Sequence, residues 1–127
     1  MRYVVSTKKS VEQASIDLME AVTRNGFGVL HMHDLKETLH NKGFDLRDQC
    51  RIFEICNPRQ ALRVLTEDMG LNMALPCRIS IYEEDGTTKI GMLRPTALLS
   101  ALSPSPELAT VAREVEDVSI RIIEEAR

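Results

Sequence analysis

Two imidazoles and two thiols are the side chains whose type and spacing could do chemistry in this chain. His31 and His33 form an H-x-H pair, and residues two apart on a strand point to the same face, as imidazoles sharing a metal ion must. The same spacing serves equally a strand end or an interface. Cys56 stands directly before Asn57-Pro58, and Cys77 directly after Leu75-Pro76. A thiol beside a helix N-terminus meets unpaired N–H groups and the positive end of the helix dipole, which favour the thiolate. Cys56 is therefore the better reactive candidate. Free cysteine is also among the most often buried residue types, so both thiols could simply pack. If Cys56 and Cys77 lay on neighbouring strands they would make a dithiol or, with His31 or His33, a soft-metal site. Cys50 and His40 have no distinguishing context.

The other charged residues read as structure. Glu83, Glu84 and Asp85 crowd a hairpin tip, where a charge run is solvated, and no Asp and Glu pair is placed for general acid and base work. A GxSxG elbow, a P-loop and an HExxH pair are all absent, and Gly26-Phe27-Gly28 is an isolated GxG without a third glycine to open a helix. A net charge of -3, aromatics at 4% and no Trp argue against a nucleic-acid partner, which needs clustered cations and stacking platforms. The N-terminus has no apolar run suited to a signal peptide, and no segment approaches the roughly 20 apolar residues that cross a bilayer. A cytoplasmic protein with no membrane partner is expected. In that setting three cysteines, an odd number without CxxC spacing, favour free thiols.

The length of 127 residues suits one domain spanning the whole chain, 1–127. Tyr3 to Ser6 is β-prone and predicts the first strand. Ser10 with Gln13 three residues on has capping-box spacing, and Val11, Ala14, Leu18, Met19 and Val22 fall on one helical stripe that should stop at Asn25-Gly26. Phe27 to His33 reads as a strand apolar on both faces and hence buried on both. Asp34 caps a short helix from Leu35 to about Asn41, which Lys42-Gly43 ends. Cys50 to Cys56 predicts the third strand, with apolar residues of both parities in Ile52, Phe53 and Ile55. Asn57 and Pro58 then open a helix that should turn Ala61, Leu62 and Leu65 inward. Met69 and Met73 follow in a loop where they could line an apolar pocket.

From Pro76 the residues alternate, Cys77, Ile79 and Ile81 against Arg78, Ser80 and Tyr82, and Asp85-Gly86 turns the chain back through Thr88 to Leu93. A short apolar segment, Ala97 to Leu102, leads to Ser105-Pro106. The last helix then places Leu108, Val111, Ala112, Val115, Val118, Ile122 and Ala126 along one stripe. This order predicts an α+β fold, a mostly antiparallel or mixed sheet packed with helices and a long C-terminal helix.

Ile55-Cys56-Asn57-Pro58, Ala61 and Leu75-Pro76-Cys77, with Tyr3-Val4-Val5-Ser6-Thr7-Lys8-Lys9-Ser10, Gly26-Phe27-Gly28-Val29-Leu30 and Lys36-Glu37-Thr38-Leu39, resemble the small bacterial and archaeal family called domain of unknown function 302. The resemblance extends to about Pro95. It implies a TATA-binding-protein-like α+β sheet with helices, in proteins that are often dimeric, and a Cys-Asn-Pro and Leu-Pro-Cys pair, but no reaction. His31 and His33 stand outside the family pattern.

The leading reading is a non-enzymatic homodimeric binding protein with a ligand or partner surface near Cys56, Asn57 and Cys77. Strands apolar on both faces in so small a chain call for a second subunit. The alternative is a thiol-redox, metal- or haem-binding protein using Cys56, Cys77 and His31 or His33, since haem needs an apolar slot with an axial His, Met or Cys.

Overall fold

Side-chain caps decide where the helices begin. Ser10 Oγ accepts a hydrogen bond from the Gln13 amide at 3.1 Å and starts α1 (Val11–Arg24). Asp34 Oδ1 accepts from Glu37 N at 3.0 Å and starts α2 (Leu35–Asn41). Asn57 Oδ1 accepts from both Arg59 N and Gln60 N and starts α3 (Pro58–Glu67), with Pro58 in the first turn. α1 ends in a Schellman arrangement: Gly26 takes φ +80°, its amide donates to Thr23 O, and Phe27 N donates to Val22 O.

α4 (Pro95–Leu102) starts at Arg94, whose side chain does not cap it. Glu116 of α5 (Pro106–Ala126) does so instead, accepting from Thr96 N and from Thr96 Oγ1. The far end of α5 is tied down as well. Lys9 donates to Ala126 O, Glu125 accepts from Arg24 and Asn25, and Tyr3 donates its hydroxyl to Glu124.

The computed structural model describes residues 1–127, and its sheet is antiparallel throughout. Strands β1 (Arg2–Thr7), β2 (Gly28–Asp34), β3 (Cys50–Cys56), β4 (Cys77–Glu84) and β5 (Thr87–Leu93) stand in the order β1-β5-β4-β3-β2. α1 crosses the sheet to carry the chain from one edge strand to the other. β4 and β5 are joined at Asp85-Gly86, where φ values of +52° and +78° suit a two-residue hairpin turn.

One face of the sheet is covered by α1, α3, α4 and α5. Phe53, Ile55, Ile79, Ile81, Ile90 and Met92 point into that layer and join Leu18, Val22, Val64, Leu71, Leu99, Leu108, Val111 and Ile122 in one hydrophobic cluster. The opposite face has no helix packed into a core beneath it. No helix is long and apolar enough to cross a membrane.

Three expectations change. β2 is an edge strand with no buried residue, and not a strand buried on both faces. Its register steps from Val29↔Ile55 to His31↔Glu54, so Leu30 is the extra residue of a β-bulge and stands 63% exposed. Val29 and Met32, of opposite parity, therefore share a face, and that produced the two-sided apolar look. Within α3 the inward residue is Val64, flanked by half-buried Ala61 and Leu65, whereas Leu62 is 67% exposed. Gln60 and Arg63, both bonded to Glu114 on α5, set that rotation. The segment Met69–Ala74 is a 3-10 helix and not a loop, and it buries Leu71.

Candidate functional site

β4 is in register with β3 from Cys77 onward, but it pairs with β5 only from Ser80↔Gly91 to Glu84↔Thr87. β5 in turn stays with β1 as far as Arg2↔Leu93. At this end of the sheet β4 and β5 part. Residues 77–79 face residues 92–93 without a ladder, so the backbone groups pointing into the gap have no cross-strand partner.

The gap opens into a cleft of about 560 Å³, within the size of ordinary small-molecule pockets. One wall is Met73 through Cys77, where the Leu75–Pro76 peptide is cis. Leu98 and Leu99 of α4 and buried Ser119 of α5 lie behind it, and Val4, Ile52 and Gly91 belong to its sheet side. Thirteen of the 20 lining residues are hydrophobic, and the charged ones are Arg2 and Arg78 alone.

Continuing the register past Ser80↔Gly91 sets Arg78 opposite Leu93, which itself pairs with Arg2. The two guanidiniums thus flank Leu93 on the uncovered face. Neither joins any of the salt bridges of the protein. Glu54, the cross-strand neighbour of Arg78, places Oε1 2.7 Å from His33 Nε2 instead.

Of the thiols, Cys77 lines the cleft and packs against the core, and burial, with a smaller push from Cys56, raises its pKa to about 11. It is a protonated, apolar wall at neutral pH. Cys56 is on the neighbouring strand, as a dithiol requires, yet Cys77 pairs with Ile55, one position away. The pleat therefore directs the Cys56 and Cys77 side chains to opposite faces. All three cysteines are free, and the Cys50 thiol is also pushed up, by burial and then by the Asp34 carboxylate. Asn57 is occupied as the cap of α3 and does not line the cleft.

His31 and His33 share the uncovered face, as their spacing predicts, with ring centroids 4.4 Å apart at 79°. No group of three His, Cys, Asp or Glu side chains is arranged to hold a metal ion. Met73 lines the cleft and Met69 does not. Arg2, Arg78, Leu98 and Leu99 were not foreseen. Arg78 and Arg2 could have been singled out as cations on the outward parity of two strands, but the parting of β4 from β5 has no signature in local sequence.

The family model described as domain of unknown function DUF302 matches residues 3–126. A crystal structure described as that of an uncharacterized conserved protein DUF302 from Bacillus stearothermophilus superposes with a TM-score of 0.93 at 35% identity. The match covers 99% of this chain and 98% of that chain. No curated protein matches.

Proposed function

The chain belongs to the DUF302 family, and on that premise we propose that it is a small homodimeric binding protein whose ligand enters the cleft at the Leu75-Pro76-Cys77 end of the sheet. The observation that carries this reading is the parting of β4 and β5. A sheet that ends its ladder early between two central strands exposes apolar side chains and unpaired backbone groups at one place, and a ligand can use both. Cys77 serves as part of the apolar wall, Asn57 caps the neighbouring α3, and Cys56 ends β3 on the opposite face.

Dimerisation is supported by the face that no helix covers. Val4 on β1 is 43% exposed there and Ile52 on β3 is half-buried, and a second copy is the occupant that buries this middle row of the face while Arg2, Leu93 and Arg78 at the end of the sheet stay clear for the ligand. Sedimentation at micromolar concentration is expected to give a dimer, and a monomer alone overturns that part of the reading.

The cleft is tested by titrating the full chain with 1-decanol, followed by amide chemical shifts. Saturable shifts at residues 75, 77–79, 91–93 and 98–99 are expected. Leu98→Trp, which fills the cleft from a half-buried position, should weaken binding at least about tenfold while the protein stays folded. Shifts spread over the surface, or equal binding by the tryptophan variant, overturn the site.

A further inference from the structure

We propose that the cleft selects an amphipathic monoanion, an apolar body carrying one carboxylate. This rests on the cleft being the ligand site and goes on to name what it takes. The chain as a whole is slightly acidic, with a net charge of -3. The cleft has no carboxylate, whereas it has Arg2 and Arg78, both exposed and both outside every ion pair.

Three other cations near the sheet, each half-buried, are engaged with carboxylates. Lys89 holds Glu84 at 2.6 Å, Arg51 holds Glu12 at 2.8 Å and Arg63 holds Glu114 at 2.6 Å. The one carboxylate in register with Arg78, that of Glu54, is turned to His33 at 2.7 Å. Arg78 is thereby left with its fork of donors free at the mouth of an apolar cleft, which matches a planar carboxylate in two hydrogen bonds.

Arg2 stands across Leu93 in the same cross-strand row and adds a second positive charge. Behind them Leu75, Leu98 and Leu99 receive the apolar body. A neutral alcohol of the same length gains the apolar contact alone, and an ammonium meets two like charges.

The test compares decanoate, 1-decanol and decyltrimethylammonium on the full chain by isothermal titration, with amide shifts to place each. Decanoate is expected to saturate one site per chain at least about tenfold more tightly than decanol, and the cation not to bind the cleft. Arg78→Gln should weaken decanoate about tenfold and leave decanol unchanged, with Arg78→Lys restoring part of the loss. Because Arg78 is exposed, both variants are expected to fold as the parent does, which circular dichroism checks. If decanol binds as tightly as decanoate, or Arg78→Gln leaves decanoate unaffected, the anion selection is wrong while the cleft stands. If none of the three binds saturably, the cleft itself is not the site.

Discussion

Glu116, in the middle of α5, accepts hydrogen bonds from both the amide and the hydroxyl of Thr96, at 3.1 Å and 2.7 Å, and so caps a helix to which it does not belong. Arg94 lies 3.7 Å from its other oxygen. α4 thus depends on α5 for its start, and the back wall of the cleft depends on both. Glu116→Ala is expected to cost about 1–2 kcal/mol of stability in urea unfolding. It should also loosen Leu98 and Leu99, seen as faster amide exchange in α4 than in α1. Unchanged exchange in α4 would show that Pro95 and packing suffice to start that helix.

Cys77 makes the cleft wall pH-dependent at the alkaline end. Its pKa in the folded chain is about 11, against 9.0 for an ordinary thiol, chiefly because burial disfavours the thiolate. The folded state therefore holds the proton more tightly. The resulting stability is fully present below the ordinary thiol pKa and is lost as pH rises through about 11. At pH 8 iodoacetamide should modify Cys77 more slowly than Cys50 or Cys56, with peptide mapping as the readout. Cys77→Ala should remove part of the fall in stability between pH 9 and 11. Rapid labelling of Cys77 at pH 8 would contradict a buried wall.

Acid acts on the other side of the molecule, where α5 is tied to α1, α3 and β1. Hydrogen bonds from Arg24 and Asn25 hold the Glu125 carboxyl below its ordinary pKa, those from Gln60 and Arg63 do so for Glu114, and that from Lys9, with Gln13, for Asp17. Each lowered pKa means stability that is present above the ordinary carboxylate range and lost as pH falls through the folded value. Glu114 and Glu125 are exposed and Asp17 is half-buried at the surface, so each contributes modestly. The triple variant Asp17→Asn, Glu114→Gln, Glu125→Gln should unfold over a flatter acid range than the parent when helicity is followed from pH 6 to 2. An unaltered acid transition would place its origin in other carboxylates.

Local signals of one or two residues were legible, and relations between distant segments were not. Ser10, Asp34, Asn57 and Ser105 all cap the helices assigned to them, because an Asx or Ser side chain and the amides it satisfies lie within three residues. The Asp85-Gly86 turn and the inward side of β4 follow from equally short patterns. The rotation of α3 is set by Glu114, about 50 residues away in sequence, so Leu62 could not be seen to face outward. The motif cysteines were legible as neighbours of strand ends. Their opposite faces depend on Cys77 pairing with Ile55 and not with Cys56, which alternation within one strand does not reveal. The cleft is less legible still, because it arises where a ladder fails to form.

The bulge in β2 supplies the sharpest test of register. In an unbroken strand, deleting one residue turns every later side chain to the other face. Here Leu30 is already the unpaired residue, between Val29↔Ile55 and His31↔Glu54. Without it, Gly28, His31 and His33 would alternate regularly with Val29, Met32 and Asp34, and each would keep the face it now has. Deleting Leu30 is therefore expected to leave a cooperatively folding protein, with the contact between His33 and Glu54 preserved, and Leu30→Ser to change stability by less than about 0.5 kcal/mol. Phe53→Ala, on the next strand and 1% exposed, should cost about 3–5 kcal/mol in the same urea measurement. Deleting Met32 instead should slip the register, bring His33 to the core side and destabilise far more than deleting Leu30. If the two deletions cost the same, β2 does not hold its register by the bulge.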